Sequence, residues 1–334
     1  MISYSIIVTA YKEPTTLKKQ LINIISQLSQ LPNTWEVLVC APDYETQQII
    51  LDYHKNGSQV KLLKDRGVGK PAALNLAFQE AKGDISILTD GDVEIDQKAI
   101  LEIIQPFKNP KIGAVSGQPI SINPRSNIFG FWAYILTEMA HKIRLQGLKR
   151  GEYIDCSGYL YAIRNNLIKN IPENTLTDDA LISRLIYNQN YQITYTPEAK
   201  VYVKYPSNFR DWIKQKKRST GGYIQIPGLI VGADPRVRPI SDRRVQSYKR
   251  PSSQAHRSSG QTHGSAPTTT MRGFFQEIKG IFQIFKYVQN PQEFWWTVLL
   301  IFARIYLWWL IFWTLKIKKT PFEKIWQRVE STKG

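Results

Sequence analysis

The chain is poor in cysteine, histidine and acid. Only Cys40 and Cys156 occur among 334 residues, far apart and each among apolar neighbours. That excludes a disulfide framework and a cysteine-ligated zinc site, and it fits a reducing compartment. The four histidines, His54, His141, His256 and His263, show no metal-ligand spacing. Against 44 Lys plus Arg stand 27 Asp plus Glu, a formal charge of +17 that calls for an anionic partner. Nucleic acid, anionic lipid headgroups and a phosphorylated substrate all satisfy it. The opening MISYSIIVTAYKEP has no basic region before its apolar run and no cleavage-site pattern, so it reads as the first strand of a domain. No apolar run long enough to cross a bilayer occurs before Phe294.

What acid there is gathers conspicuously in ISILTDGDVEID, residues 85–96, where Asp90, Asp92, Glu94 and Asp96 follow a buried-strand pattern. Two carboxylates at i and i+2 point the same way from an extended chain, so Asp90 and Asp92 can meet one cation. Mg2+ or Mn2+ takes such oxygen ligands and borrows others from a substrate's phosphates. A polar strand end turning at Gly91 gives the same residues, and these two readings stay open on this stretch alone.

Up to about residue 228 short apolar runs alternate with helical patterns, the signature of an α/β domain. Strands are expected over 5–10, 35–41 and 60–64, with helices over 15–31, 47–54 and 71–83, the last stopped by Gly83. Ligands should collect at the carboxyl ends of such strands. Residues 229–273 read as a polar, basic linker, since SSQAHRSSGQTHGSAPTTT cannot build a core. Within 274–334, Phe274, Phe275, Ile278, Ile281, Phe282 and Phe285 recur at helical spacing, as in a helix lying on a membrane surface. The apolar stretch from Phe294 to Leu315 can span a bilayer, lie on it, or be a buried soluble helix. Arg304 inside it is costly in lipid and needs a partner or a route to the interface. Basic residues on both sides leave its topology open.

Four further stretches bear on chemistry. TAYKEP, 9–14, ends the first strand, where a nucleotide-binding domain places base-contacting groups and an ordinary strand-to-helix loop looks the same. In DRGVGKPAALN, 65–75, Gly67 and Gly69 free the backbone, Lys70 offers a cation and Asn75 hydrogen bonds, which suits a diphosphate or sugar hydroxyls. A glycine-rich turn entering a helix reads equally well. Asp178 and Asp179 open a helix, where acids serve the N-terminal amides or, alternatively, supply a general base. Gln215 and Arg218 sit three apart on one helical face within a basic run, as donors for a diphosphate leaving group.

Taken in order, SIIVTAYKE, GKPAALN, TDGDVEID, CSGYLYAIR, LTDDALISRL and QKKRS resemble the motifs of the family 2 glycosyltransferases. The resemblance implies the GT-A fold, a mixed and mainly parallel sheet flanked by helices, and an inverting hexosyl transfer. It implies that Asp92 and Asp90 approach a Mg2+ or Mn2+ ion and the donor. It further implies that Tyr11, Glu13 and Asp43 contact the nucleoside and that Lys70 and Asn75 lie near the sugar diphosphate. Asp179 would be the base, and Asp178, Gln215 and Arg218 would serve the acceptor or the leaving diphosphate. UDP is the implied nucleotide, with GDP an alternative, and the acceptor is a lipid-linked or envelope glycan. The implied setting is a bacterial inner membrane with the catalytic domain cytoplasmic. Ser219 stands where the family motif has Trp, which removes an aromatic platform and favours addition of one or a few sugars. CAPDYET replaces the acidic motif expected after the second strand.

Two rival activities would leave different marks. A sugar nucleotidyltransferase would carry a Gly-rich loop after its first strand, and TAYKEP has no glycine. A catalytically inactive relative that binds glycan or nucleotide at a membrane would not need the base. Nucleic acid is not expected, because anionic lipid is the simpler partner for the basic residues around the apolar helix.

Overall fold

The computed structural model describes residues 2–55, 59–233, 283–325, 327 and 329–332. Four parallel strands, β1 (Tyr4–Thr9), β2 (Trp35–Cys40), β3 (Val60–Leu63) and β4 (Ile85–Asp90), form one half of an eight-stranded sheet. The other half holds β5 (Glu94–Ile95), β6 (Ile112–Ser121), β7 (Leu160–Arg164) and β8 (Gln192–Val203). The order is β3-β2-β1-β4-β7-β6-β8-β5, with β7 antiparallel to both its neighbours. The alternation of Ile6 and Val8 against Ile7 sends β1 into both cores, as the period of a strand requires.

One face of the sheet is covered by α1 (Pro14–Leu28), α2 (Tyr44–Lys55) and α4 (Ala99–Ile104) through Leu17, Leu21, Ile24, Ile50 and Ile100. The other is covered by α3 (Lys70–Glu80), α6 (Asp178–Asn188) and part of α7 (Phe209–Ala233). A satellite core joins α5 (Ile128–Arg150), Trp212 of α7 and α8 (Pro291–Phe312), whose helix continues to Ile317 as a widened turn.

Several boundaries differ from expectation, and helix α1 ends at Leu28 rather than at 31. The α2 helix begins at Tyr44 rather than Gln47 because Asp43 Oδ1 accepts the Thr46 N–H at 3.0 Å, closing the first turn. Helix α3 stops at Glu80, before Gly83. Gly83 instead lets the chain pass β1: a Cβ there would sit 2.4 Å from the Ser5 nitrogen. Helix α7 runs to Ala233, past the expected boundary at 228. Residues 234–273, and Phe274, Phe275, Ile278, Ile281 and Phe282, lie outside the described residues; Phe285 begins a short 3-10 turn.

Asp43 carries a first prediction. Its two oxygens hold Thr46 N–H and, at 2.8 Å, the N–H of Lys12, whose φ is +56°. Asp43→Ala should cost about 0.5–2 kcal/mol in urea unfolding, the range for losing such a cap.

Candidate active site

The register aligns Thr9 with both Cys40 and Asp90, so the first loops after β1, β2, β3 and β4 open on one edge of the sheet. Together with residues of α5, α6 and α7 they enclose a cleft of about 730 Å3. Tyr11 and Glu13 line it from the first loop, Asp65 and Lys70 from the third, and Asp90 and Asp92 from the fourth. Asp178 and Asp179 come from the start of α6, and Gln215 and Arg218 from α7. Residues spread across most of the domain therefore share one site.

Two expected members are elsewhere. Asn75 binds the backbone of Ile171 with both ends of its amide, donating to the carbonyl and accepting the N–H, each at 2.8 Å. It ties α3 to the loop before α6 and does not line the cleft. Asp43 caps α2 and, unlike its chain neighbour Pro42, does not line the cleft. Its carboxyl lies below the ordinary range: burial alone would raise it, but the N–H groups of Lys12 and Thr46 favour the charged form.

The cleft floor is an ion-paired knot. Lys70 Nζ donates to Asp90 Oδ1 at 2.6 Å and to the Gly158 carbonyl at 3.2 Å, and stands 3.7 Å from Asp178 Oδ2. Burial would lower the Lys70 pKa; the charges of Asp178 and Asp90 reverse that and hold the ammonium above its usual value. Thr9 Oγ1 donates to Asp90 Oδ1 at 3.1 Å. The loop delivering Lys70 needs glycine, since Gly67 and Gly69 have φ of +67° and +129°.

Asp179 is the most perturbed carboxylate here. Its Oδ2 accepts the Gly158 N–H at 2.8 Å. Burial first, then the adjacent Asp178 charge, push its pKa up to about 6, while Lys70 and the Ala180 N–H pull the other way. A carboxylate of that strength exchanges protons near neutral pH. Around it Thr177 Oγ1, Asp178 Oδ2 and Gln215 Oε1 are buried without a hydrogen-bond partner. All three belong to cleft-lining residues, where a polar ligand can satisfy them.

The carboxylate pair has a different geometry from the one the spacing suggests. Strand β4 ends at Asp90 and the chain turns through Gly91 and Asp92, so the same-side argument for an extended chain does not apply. Gly91 is required because a Cβ there would lie 2.6 Å from Ala10 Cβ. Both carboxylates nevertheless line the cleft. Among the described residues no group of three His, Cys, Asp or Glu side chains could hold a metal by itself. Two carboxylates fit an ion such as Mg2+ or Mn2+ only where a substrate's phosphates complete its shell.

Several further residues line the cleft. Asp65 stands in the quoted loop, and burial, followed by the charge of Asp43, raises its carboxyl pKa. Gly158 and Tyr159 lie in the quoted CSGYLYAIR. Tyr159 OH sits 3.5 Å from Gln215 Nε2, and burial raises its phenol. Arg144 of α5, whose Nε donates to the Asp155 carbonyl at 3.1 Å, had no motif to announce it.

Residues 3–222 match the sequence model of the family described as glycosyltransferase like family 2. The chain belongs to that family. It is thus a glycosyltransferase. The poly-β-1,6-N-acetyl-D-glucosamine synthase of Staphylococcus epidermidis is 28% identical over 229 residues, 66% of this chain and 54% of that protein. The enzyme of the same name from Staphylococcus aureus is 24% identical over 223 residues, 65% of this chain and 54% of its own length. The chain spans about half the length of these curated relatives. A solved mannosyltransferase of Pyrobaculum calidifontis, in complex with GDP-mannose and Mn2+, superposes with a TM-score of 0.54 at 20% identity, covering 69% of this chain and 64% of that one. The glycosyltransferase has the GT-A type fold, with its mixed, mainly parallel sheet and flanking helices.

Proposed function

We propose that this glycosyltransferase is an inverting hexosyltransferase. It moves a sugar from a nucleoside diphosphate sugar, UDP-linked in the first instance, to a hydroxyl of a lipid-linked or envelope glycan. It works at the cytoplasmic face of a bacterial inner membrane. The observation that carries the reading is Asp179, a carboxylate with its pKa raised to about 6, in the same cleft as the Lys70–Asp90 pair and Asp92. Asp179 takes the proton of the acceptor hydroxyl, whose oxygen attacks the anomeric carbon. The bond from that carbon to the diphosphate oxygen breaks, and its electron pair leaves with the nucleoside diphosphate.

Tyr11 and Glu13 contact the nucleoside at the carboxyl end of β1. Lys70 meets the diphosphate, and Asp178, Gln215 and Arg218 position the acceptor or the departing diphosphate. Asp92 and Asp90 would hold Mg2+ or Mn2+, which supplies positive charge to the leaving diphosphate when bound. Ser219, a cleft residue in place of an aromatic side chain, favours addition of one or a few sugars.

Detergent-purified protein, given UDP- and GDP-sugars with Mn2+ or Mg2+ and mixed membrane lipids, should release nucleoside diphosphate from one donor. Asp92→Ala should abolish that release. Nucleotide binding without turnover for any donor or acceptor lipid, unchanged in the variant, would instead establish an inactive binder.

A further inference from the structure

The apolar helix, Pro291–Ile317, is 27 residues long. At 1.5 Å per residue it measures about 40 Å, enough to cross a hydrocarbon core of about 30 Å. A crossing helix leaves its ends on opposite sides of the bilayer. Here both ends are fastened to the one catalytic domain.

At the start, Glu293 is 4% exposed and both its oxygens are taken by Arg125, at 2.7 and 2.8 Å. Arg125 also donates to the Tyr287 carbonyl at 2.9 Å, and Trp132 Nε1 donates to the Trp296 carbonyl at 2.8 Å. Midway, Leu300 and Ala303 pack with Phe131 and Trp132 of α5 and Trp212 of α7. Beyond the far end the chain folds back to the domain. A Cβ on Gly221 of α7 would lie 3.7 Å from buried Ile325, and the Ser331 N–H donates to Asp211 Oδ2 at 2.9 Å.

The opposite face is a stripe of Trp295, Leu299, Phe302, Tyr306, Trp309 and Trp313, all exposed. Their alternating spacing of four and three keeps them on one side of the helix. Trp295 is 65% and Phe302 64% exposed, unlike the surface of a water-soluble domain. Exposed Lys316, Lys318 and Lys319 close the stripe. Lys217 of α7 lies near them: burial and the like charge of Lys318 depress its ammonium pKa. From Phe294 to Lys319 there is no acid. A second copy of the chain would bring like charges together, whereas an anionic leaflet offers both the apolar bed and the countercharge.

We propose that α8 is an in-plane membrane anchor, its aromatic stripe sunk into one leaflet and its terminal lysines at the phosphate headgroups, without crossing the bilayer. This rests on the membrane setting proposed above. The helices that carry the anchor, α5 and α7, also supply Arg144, Gln215 and Arg218 to the cleft, so the anchor holds the cleft beside the surface where a lipid-linked acceptor lies.

The test uses full-length Gln292→Cys and Lys318→Cys variants in membrane vesicles with the cytoplasmic face outward, treated with a membrane-impermeant maleimide. Native Cys40 and Cys156 are buried and their thiol pKa values pushed up to about 12, so background labelling is low. Labelling at both positions without detergent is the expected result. Labelling at only one shows a crossing helix and overturns the proposal. In flotation, the protein should rise with phosphatidylcholine–phosphatidylglycerol vesicles, and Phe302→Glu/Trp309→Glu should reduce that at least tenfold with unchanged circular dichroism. Failure of the unmodified protein to float, above all with self-association, removes the bilayer as occupant. Nucleoside diphosphate release by the same vesicles separates the two readings: labelling at both ends with no release for any donor refutes the transferase chemistry and leaves the anchor standing.

Discussion

Asp179→Asn is expected to lower turnover by about 10²–10⁴-fold, the usual contribution of a positioned general base, while making the protein more stable at pH 7.5. The stability gain follows from the raised pKa. Asp179 titrates at about 6 in the folded protein against 3.8 when unperturbed, so the unfolded chain gives up its proton first. The group's favourable contribution is complete below pH 4 and is lost as pH rises through 6. Asn has no charge to bury and avoids that loss. The full shift corresponds to about 3 kcal/mol, and because the carboxylate keeps an edge open to the cleft, a gain of about 1–3 kcal/mol is expected. Urea unfolding at pH 7.5 and at pH 4 checks it, and the difference between variant and parent should vanish at the lower pH. In the parent enzyme, kcat/KM should fall tenfold per pH unit below about 6 as Asp179 takes up a proton. A destabilised variant would overturn the raised pKa, and unaltered turnover would place the base elsewhere.

Lys70→Met is expected to damage both folding and turnover. Lys70 is the cation between Asp90 and Asp178, with a quarter of its side chain exposed. Removing it leaves two carboxylates facing each other and Asp179 with little to offset them. Breaking a fully buried pair costs about 3–5 kcal/mol, and partial exposure here reduces the expected loss to about 2–3 kcal/mol. Asp179 should then titrate higher, moving the acid limb of the pH–rate profile to higher pH, because the Lys70 charge is the larger of the two influences that lower its pKa. Adding Asp90→Asn should recover part of the stability by removing one of the stranded charges, without restoring turnover. Urea midpoints for the single and double variants measure the coupling.

The motifs survive translation into geometry unevenly, for physical reasons. Asp179, Gln215 and Arg218 were legible because a helix start and a three-residue helical spacing are local properties. Asp90 and Asp92 were legible as a pair, although the turn through Gly91 replaces the extended geometry that their spacing suggests. Asn75 was legible only as a polar side chain beside a glycine-rich loop. Its commitment to Ile171 depends on a segment 96 residues away. Asp65 and Arg144 become cleft residues through the sheet register and the path of α5, neither of which marks the sequence locally.

By itself the sequence determined the α/β alternation, the glycine turns that deliver Lys70, the apolar stripe of the last helix and the identity of the acids, since each follows from periodicity or side-chain chemistry within a few residues. Only the tertiary structure decided which acids share a counter-ion, which one is desolvated enough to titrate at about 6, and which face of α8 is covered. Those depend on distance and exclusion of water between segments far apart in the chain, and packing alone sets both.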